Sequence, residues 1–322
     1  MTHIKKYRSK PIIRFEAKIV GKLIERLYLD GFMIKLTNLE KVYWPQDKIT
    51  KGDLIKYYAS IAPFILPYLK NRPLVMHRFP EGIKGEAFFQ KESGEYTPGF
   101  VKTTSVLHEG KHVNYILVQN AKTLLYVANL GSIELHPFNS TYRKLEKPDY
   151  FVFDLDPEAI SFGAVIETAQ TIHEILEELS VPHFCKTSGL TGLHIYVPLH
   201  ANYDYDQARS LAYLLGTIVH HRLPKITSLE RNPQKRQRKV YIDTLQNIKG
   251  QTLVSAYSVR ATPRATVSTP LLWKEVKPGL DPETFTIKTV PKRLLQKGDL
   301  FKGVLAKSIN LQLLLKKIDK LI

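Results

Sequence analysis

Two short apolar segments that each end on aspartate constrain this chain more than any other feature. Phe151-Val152-Phe153-Asp154-Leu155-Asp156 runs into a turn at Pro157, and Lys239-Val240-Tyr241-Ile242-Asp243 closes in the same way. Short runs rich in Phe, Val, Tyr and Ile, bounded by turn residues, read as strands. In a strand, residues i and i+2 point to one face, so Asp154 and Asp156 converge on one spot. Two bare carboxylates there repel unless a cation sits between them. Hard oxygen ligands of this kind suit Mg²⁺ or Mn²⁺, which also bind substrate phosphates. An isolated Asp-x-Asp is more often a strand end with two solvated acids. Asp243 changes the weighting: if the two strands are neighbours, three carboxylates meet at one sheet edge. That is the ligand set for a two-metal site, whose ions, ~3.5–4 Å apart, clamp the attacking and leaving oxygens of phosphoryl transfer.

The second signal is Lys186-Thr187-Ser188-Gly189-Leu190-Thr191-Gly192-Leu193-His194, a strand–turn–strand with two glycines. Glycines let backbone amides approach a phosphate, and the Ser and Thr hydroxyls add donors. His194 opens the next strand and points back towards the turn. A glycine-rich hairpin alone is usually only a turn, and no GK[ST] precedes a helix as in a P-loop. Beside three carboxylates it becomes a plausible triphosphate cradle. His136, in Ile133-Glu134-Leu135-His136-Pro137, is a third candidate, although a lone His on an apolar strand is more often a core residue. Phe88 and Phe89, next to Gln90 and Lys91, read either as core packing or as a base-stacking platform. No G-x-S-x-G elbow supports acyl transfer.

The 322 residues carry a formal charge of +17, and Cys185 is the single cysteine. One thiol excludes a disulfide framework or a Cys-rich zinc site and fits a reducing, cytoplasmic setting. No apolar run approaches the ~18 residues of a membrane helix, and the basic start MTHIKKYRSK is followed by no apolar h-region, so neither a membrane nor a secretory route is expected. Basic residues cluster at Lys5–Lys22 and again across Arg222–Lys239, which holds seven bases against Glu230 alone. Such runs are as often a solvated surface as a nucleic-acid face, and a nearby phosphate site favours the latter. The spacing predicts helices over Thr50–Leu69 (capped by Thr50), Gln119–Leu130, Tyr205–His220 and Lys307–Ile322, with a further amphipathic helix for which Ser161 is the candidate cap. Strands are expected near Phe32–Leu36, at Pro73–Phe79, Val113–Val118, His183–Thr187, Leu193–Pro198 and Thr252–Ala256. Mixed strands and helices with hairpin-like neighbours predict an α+β fold with a mixed or antiparallel sheet.

Taken together, these motifs resemble the polymerase domain of bacterial DNA ligase D, in the archaeo-eukaryotic primase superfamily. The resemblance rests on LTNLEKVYWP (Leu36–Pro45), ITKGDLIKYY (Ile49–Tyr58), FFQK (Phe88–Lys91), IELHP (Ile133–Pro137), FVFDLDP (Phe151–Pro157), TSGLTGLHIYVPL (Thr187–Leu199), KVYIDTLQN (Lys239–Asn247) and AYSVRATPRATVSTPL (Ala256–Leu271), in order. It implies a primase-like fold with a central sheet flanked by helices and a small N-terminal lobe. Residues 1–35 would form a basic lead-in, 36–305 the catalytic domain and 306–322 a C-terminal helix. It also implies a template-dependent nucleotidyltransferase extending 3′ ends at gapped or broken DNA during end joining, with two Mn²⁺ or Mg²⁺ ions and NTP or dNTP as substrate. Ku and a separate ATP-dependent ligase are the implied partners, and the nucleoid the place of action. A primer-independent primase and a catalytically weakened DNA-end-binding scaffold are the alternatives.

By position, the resemblance makes Asp154, Asp156 and Asp243 the metal carboxylates. It places His136, Ser188, Gly192, His194, Arg236, Lys239 and Arg260 around the nucleotide, Asn38, Lys41 and Lys51 at the 5′-phosphate of the downstream strand, and Phe88 and Phe89 on the template. Three departures fall on the phosphate side. Thr191 replaces a lysine in the glycine-rich turn, Arg238 stands where the RxGK pattern has glycine, and Thr262 replaces the second arginine of YSxRxR, with Arg264 a possible substitute. No ligase or nuclease segment is visible, so the sequence reads as a stand-alone version.

Overall fold

The computed structural model describes residues 24–29, 32–108 and 110–320. The basic cluster Lys5–Lys22 lies outside them. The first half contains β1 (Ile24–Leu29), β2 (Phe32–Thr37), β3 (Val42–Trp44), β4 (Ile49–Thr50), α1 (Lys51–Leu69), β5 (Pro73–Arg78), β6 (Phe88–Gln90), β7 (Lys102–His108), β8 (Lys111–Leu117), α2 (Ala121–Asn129) and β9 (Ser132–Pro137). The second contains β10 (Tyr150–Pro157), α3 (Phe162–Glu178), β11 (Phe184–Thr187), β12 (Leu193–Pro198), α4 (Tyr205–Arg222), β13 (Thr227–Ser228), β14 (Val240–Asp243), β15 (Pro270–Leu271), α5 (Val290–Lys297) and α6 (Leu311–Ile318).

The fold is α+β, with helices packed on mixed and antiparallel sheets: most strands lie in two large sheets, and β1–β2 and β3–β4 form two-stranded ones. In the first, β5 pairs antiparallel with β9 along one edge and with β6 and β8 along the other, and β7 closes on β8. The second runs β13-β14-β10-β12-β11-β15, antiparallel except at β13–β14. Each sheet needs cover for its apolar face. For the first, α1 supplies it: Thr50 and Asp53 close a capping box, and Leu54, Ile55, Tyr58, Ile61 and Ile65 recur at helical spacing, all buried. For the second, α3 and α4 pack Val165, Ile172, Leu176, Leu211 and Leu215 against Phe151, Phe153 and Leu155 of β10.

β10 is buried on both faces. Val152 and Tyr150 turn away from α3 and α4 into the core shared with α1 and α2. Alternation then carries Asp154 and Asp156 onto that second face, between the sheets, as i and i+2 require. Burying Phe151, Phe153 and Leu155 contributes roughly 1.5–3 kcal/mol each. That margin lets the strand end hold carboxylates in a position they would not choose themselves.

Three expectations need correction. Thr252–Ala256 is not a strand: it makes a single bridge, Phe138↔Thr252, plus a hydrogen bond from Ser255 N to the Leu135 carbonyl. It runs antiparallel beside the end of β9 without forming a ladder, and Thr252, Leu253 and Val254 line a cavity. Ser161 precedes α3 without a side-chain cap bond. The C-terminal helix is confined to Leu311–Ile318, and its Leu314 and Ile318 belong to the α3/α4 core. No helix among the described residues is long and apolar enough to cross a membrane.

Candidate active site

The pairing of β10 decides the site. Asp154 stands directly opposite Asp243 on β14 and directly opposite His194 on β12. Carboxylate oxygens of Asp154, Asp156 and Asp243 lie within 4.8 Å of one another. Asp243 is oriented from three sides: Leu245 N donates to its Oδ1 at 2.7 Å, Tyr241 OH to the same oxygen at 3.3 Å, and Gln246 Nε2 to Oδ2 at 3.2 Å. Asp154 is different. Its Oδ1 is buried and has no hydrogen-bond partner among the described residues, although His194 Nε2 lies only 3.1 Å away, off the line a hydrogen bond needs. Burial pushes Asp154 above the ordinary carboxylate range, against the pull of Lys186 and Arg260. Burial, then the charges of Asp154 and Asp243, push Asp156 up as well, and Asp243 is raised chiefly by burial. An orphaned buried oxygen within a crowd of carboxylates is a deficit of positive charge, and a divalent cation with hard oxygen preference removes it.

Two other side-chain groups among the described residues are close enough to share an ion, and neither has that deficit. Glu134 Oε2 contacts His136 Nε2 at 3.0 Å and His77 Nδ1 at 3.2 Å, while Oε1 accepts from Ala261 N and lies 3.3 Å from Arg260 Nε. Burial alone would raise Glu134, but these partners outweigh it and hold the group well below its usual range. His173 and His183 spend nitrogens on each other at 2.7 Å, and His183 Nδ1 reaches the Val181 carbonyl.

Opposite the carboxylates, the β11–β12 turn is built around Ser188. Its Oγ accepts from Leu190 N at 3.0 Å and Gly192 N at 3.1 Å, leaving the hydroxyl proton free to donate elsewhere. Gly189 sits at φ +78°, and a Cβ there would meet Arg260 Cγ at 2.6 Å. A Cβ on Gly192 would lie 2.3 Å from the Leu155 carbonyl, so this glycine lets the turn press against β10. A cavity of ≈ 150 Å³ separates turn and carboxylates, lined by Asp154, Asp156, Ser188, Thr191, His194 and Arg260, with His136 reaching in from the other sheet. Arg260 comes from the loop after Ala256, which is held by Ser258 Oγ accepting from Leu135 N and by Arg260 N donating to the Thr266 carbonyl.

Other expected residues sit at the margin. Arg236 lies over the Tyr241 ring at 3.8 Å and lowers the Asp156 pKa, but its guanidinium donates to the Glu230 and Arg231 carbonyls. Lys239 is not brought to the carboxylates: its ammonium donates to the Pro224 carbonyl. Gln237 and Arg238 both adopt left-handed φ, 55° and 59°, so the missing glycine of the RxGK pattern is replaced by a strained arginine. Arg264 does not fill the place left by Thr262; it is half-exposed beside Glu283.

A second basic site forms where β2, β3 and α1 meet. Lys51 is buried and donates to the Thr37 carbonyl at 2.7 Å, Lys41 pairs with Glu81, and Asn38 occupies the β2–β3 turn at φ 56°. Burial, then Lys41 and Arg78, bring the Lys51 pKa down to about 8. Lys41, Lys51 and Arg78 thus gather as a cluster of cations, and Arg78 is a member the sequence did not reveal. Nearby, Phe88 and Phe89 are exposed on β6; Phe89 stacks on His77 (centroids 4.0 Å, 11°), and Arg78 lies over Phe88 at 5.1 Å. Glu134 and His77 were also missed, though an acid two residues before His136 on one strand signals a shared face. Lys186 was missed too: it is fully buried, its Nζ 2.9 Å from His194 Nδ1 and 2.6 Å from Ser268 Oγ.

Aspartates on neighbouring strands, a serine-centred glycine turn and an arginine between two sheets thus meet around one cavity. The profile of the family "LigD, primase-polymerase domain" matches residues 50–301, and the chain belongs to that family. It is 33% identical over 268 residues to the bifunctional non-homologous end joining protein LigD of Bacillus subtilis, covering 82% of this chain and 43% of that protein. It is 32% identical over 263 residues to the multifunctional LigD of Pseudomonas aeruginosa, covering 81% of this chain and 31% of that protein. The chain thus spans less than half the length of these relatives. Among solved structures it is similar to the polymerase domain of Mycobacterium tuberculosis ligase D in complex with DNA: TM-score 0.79, 27% identity, 86% of this chain and 99% of that one.

Proposed function

We propose that the protein is a template-dependent nucleotidyltransferase that extends 3′ ends at gapped or broken duplex DNA in non-homologous end joining. The observation that carries this reading is the carboxylate cluster with its orphaned oxygen facing the Ser188 turn across one cavity. Asp154, Asp156 and Asp243 would hold two Mn²⁺ or Mg²⁺ ions, which when bound acidify a 3′-hydroxyl and neutralise charge on the leaving pyrophosphate. The chain's own residues bind and orient. The free Ser188 hydroxyl proton, the His194 imidazole and the Arg260 guanidinium face an incoming triphosphate as donors fixed before it arrives, so little is lost to reorganisation. His136 gives its Nε2 to Glu134, which fixes the ring on the opposite wall. Thr191, without a lysine's charge, leaves Arg260 as the cation lining this cavity.

Asn38, Lys41 and Lys51 would take the 5′-phosphate of the downstream strand, and Phe88 and Phe89 the template base. The formal charge of +17 supplies sequence-independent attraction that weakens with salt as counterions are released. Ku for delivery to ends and a separate ATP-dependent ligase for sealing are the partners this activity needs. The test compares a primed duplex gap with and without a 5′-phosphate against a primer-free single strand. Extension confined to the primed gap and stimulated by the 5′-phosphate supports the proposal. Chains started without a primer would make the protein a primase. DNA binding with no incorporation would make it a scaffold.

A further inference from the structure

We propose that Lys186 is a positioning residue that makes His194 a hydrogen-bond donor towards the nucleotide cavity. The inference rests on the reading of that cavity as a nucleotide site, but its structural half can be tested without nucleotide.

Hydrogen-bond bookkeeping carries it. Ser268 Oγ donates its single proton to the Thr187 carbonyl at 2.8 Å. Its 2.6 Å contact with Lys186 must therefore be a donation from the Lys186 amine. The same amine lies 2.9 Å from His194 Nδ1, its cross-strand partner on β12. If Nδ1 accepts there, the neutral ring carries its proton on Nε2. That puts an Nε2–H at the other end of the ring, 3.1 Å from Asp154 Oδ1 though off a hydrogen-bond line to it, on the wall of the cavity that also holds Ser188 and Arg260.

The burial of Lys186 fits this role. Its side chain is fully buried, with the amine 5.6 Å from the Tyr196 ring centroid and no carboxylate within ion-pair distance among the described residues. Burying a lysine is costly unless its N–H groups find acceptors, and two of them point to Ser268 and His194. A methionine of similar length would pack there without that cost, so packing alone does not account for a lysine.

The experiment is ¹⁵N NMR of histidine-labelled full-length protein, with His194 assigned from the signal missing in His194→Gln. The expected result is a ring protonated on Nε2 and bare on Nδ1 in wild type, and tautomer mixing in Lys186→Met. Lys186→Gln, which keeps an N–H donor, should restore the wild-type pattern. In steady-state extension, Lys186→Met should raise KM for the incoming nucleotide about tenfold with a smaller change in kcat, the loss of one hydrogen bond to a charged group. A wild-type ring protonated on Nδ1 overturns the inference, as does an unchanged tautomer in Lys186→Met. Should Lys186→Met fail to fold, the wild-type spectrum alone decides. A wild-type protein that incorporates no nucleotide would sink the polymerase reading while leaving the tautomer result standing.

Discussion

Replacing Asp154 with asparagine should stabilise the ion-free protein while abolishing its response to metal. Asp154 is 6% exposed and its Oδ1 has no hydrogen-bond partner among the described residues. Burial raises its pKa from 3.8 to about 6. A carboxyl raised on folding contributes stability that is fully present below the unfolded value and lost as pH rises through the folded one. At pH 8 the ionised group therefore works against the fold. Two pKa units correspond to about 3 kcal/mol. Sharing of charge with Asp156 and Asp243, and a local dielectric nearer 20 than 4, reduce this to about 1–2 kcal/mol. Domains of 150–250 residues gain about 2–4 °C of Tm per kcal/mol, so a chain of this size should gain a few degrees at most. Differential scanning calorimetry at pH 8 without metal should show Asp154→Asn melting above wild type, with the difference shrinking as pH falls through about 6 and gone below pH 3.8. Millimolar Mn²⁺ should raise the wild-type Tm and leave the variant where it was. Primer extension by the variant should fall at least 100-fold, as expected when several kcal/mol of charge stabilisation are removed. A variant that melts below wild type at pH 8, or responds to Mn²⁺ as wild type does, would refute the assignment and make Asp154 a structural partner of His194.

Further outcomes follow from the geometry. Lys41→Ala should remove the preference for a 5′-phosphorylated gap with Tm unchanged, since its pair with Glu81 is exposed; Lys51→Ala should remove the same preference and also cost about 1–3 kcal/mol, because the Thr37 carbonyl loses its donor. Gly192→Ala places a Cβ 2.3 Å from the Leu155 carbonyl, so calorimetry should show a loss of about 1–3 kcal/mol, with extension falling further than the melting point alone explains. Phe89→Ala should weaken binding to template-containing DNA by about 1–3 kcal/mol in anisotropy titrations, and an unchanged affinity would return Phe89 to a packing role on His77. Arg238→Gly should gain about 0.5–1 kcal/mol by releasing the left-handed φ of 59°, without changing the Mn²⁺ response.

The legible part of this fold is the part where one periodicity and one burial pattern coincide. α1 and β12 lie within a residue of where spacing put them, because each buries an uninterrupted apolar set. The carboxylate cluster was legible because two apolar strands both end on aspartate, and the antiparallel register sets Asp154 against Asp243. The division into two sheets was not. β6 is a three-residue strand whose Phe88 and Phe89 are both exposed, and β9 is buried along its whole length, Glu134 and His136 included, so burial alternates in neither. The resemblance put Lys239 beside the nucleotide, but Lys239 precedes β14, follows two left-handed residues and turns its ammonium to the Pro224 carbonyl. Lys186 reads as one lysine in an apolar strand; its partners, His194 and Ser268, lie 8 and 82 residues away along the chain. Periodicity reports which face a side chain takes, not what waits there.

The most direct test of the central claim is single-nucleotide extension of a primer on a 5′-phosphorylated gapped duplex. The four NTPs and four dNTPs are supplied one at a time, in Mn²⁺ and in Mg²⁺, with Asp156→Asn alongside. Incorporation that follows the template base, requires the divalent ion and disappears in Asp156→Asn is the predicted result. Binding of the gapped duplex with no incorporation of any nucleotide in either ion would contradict it.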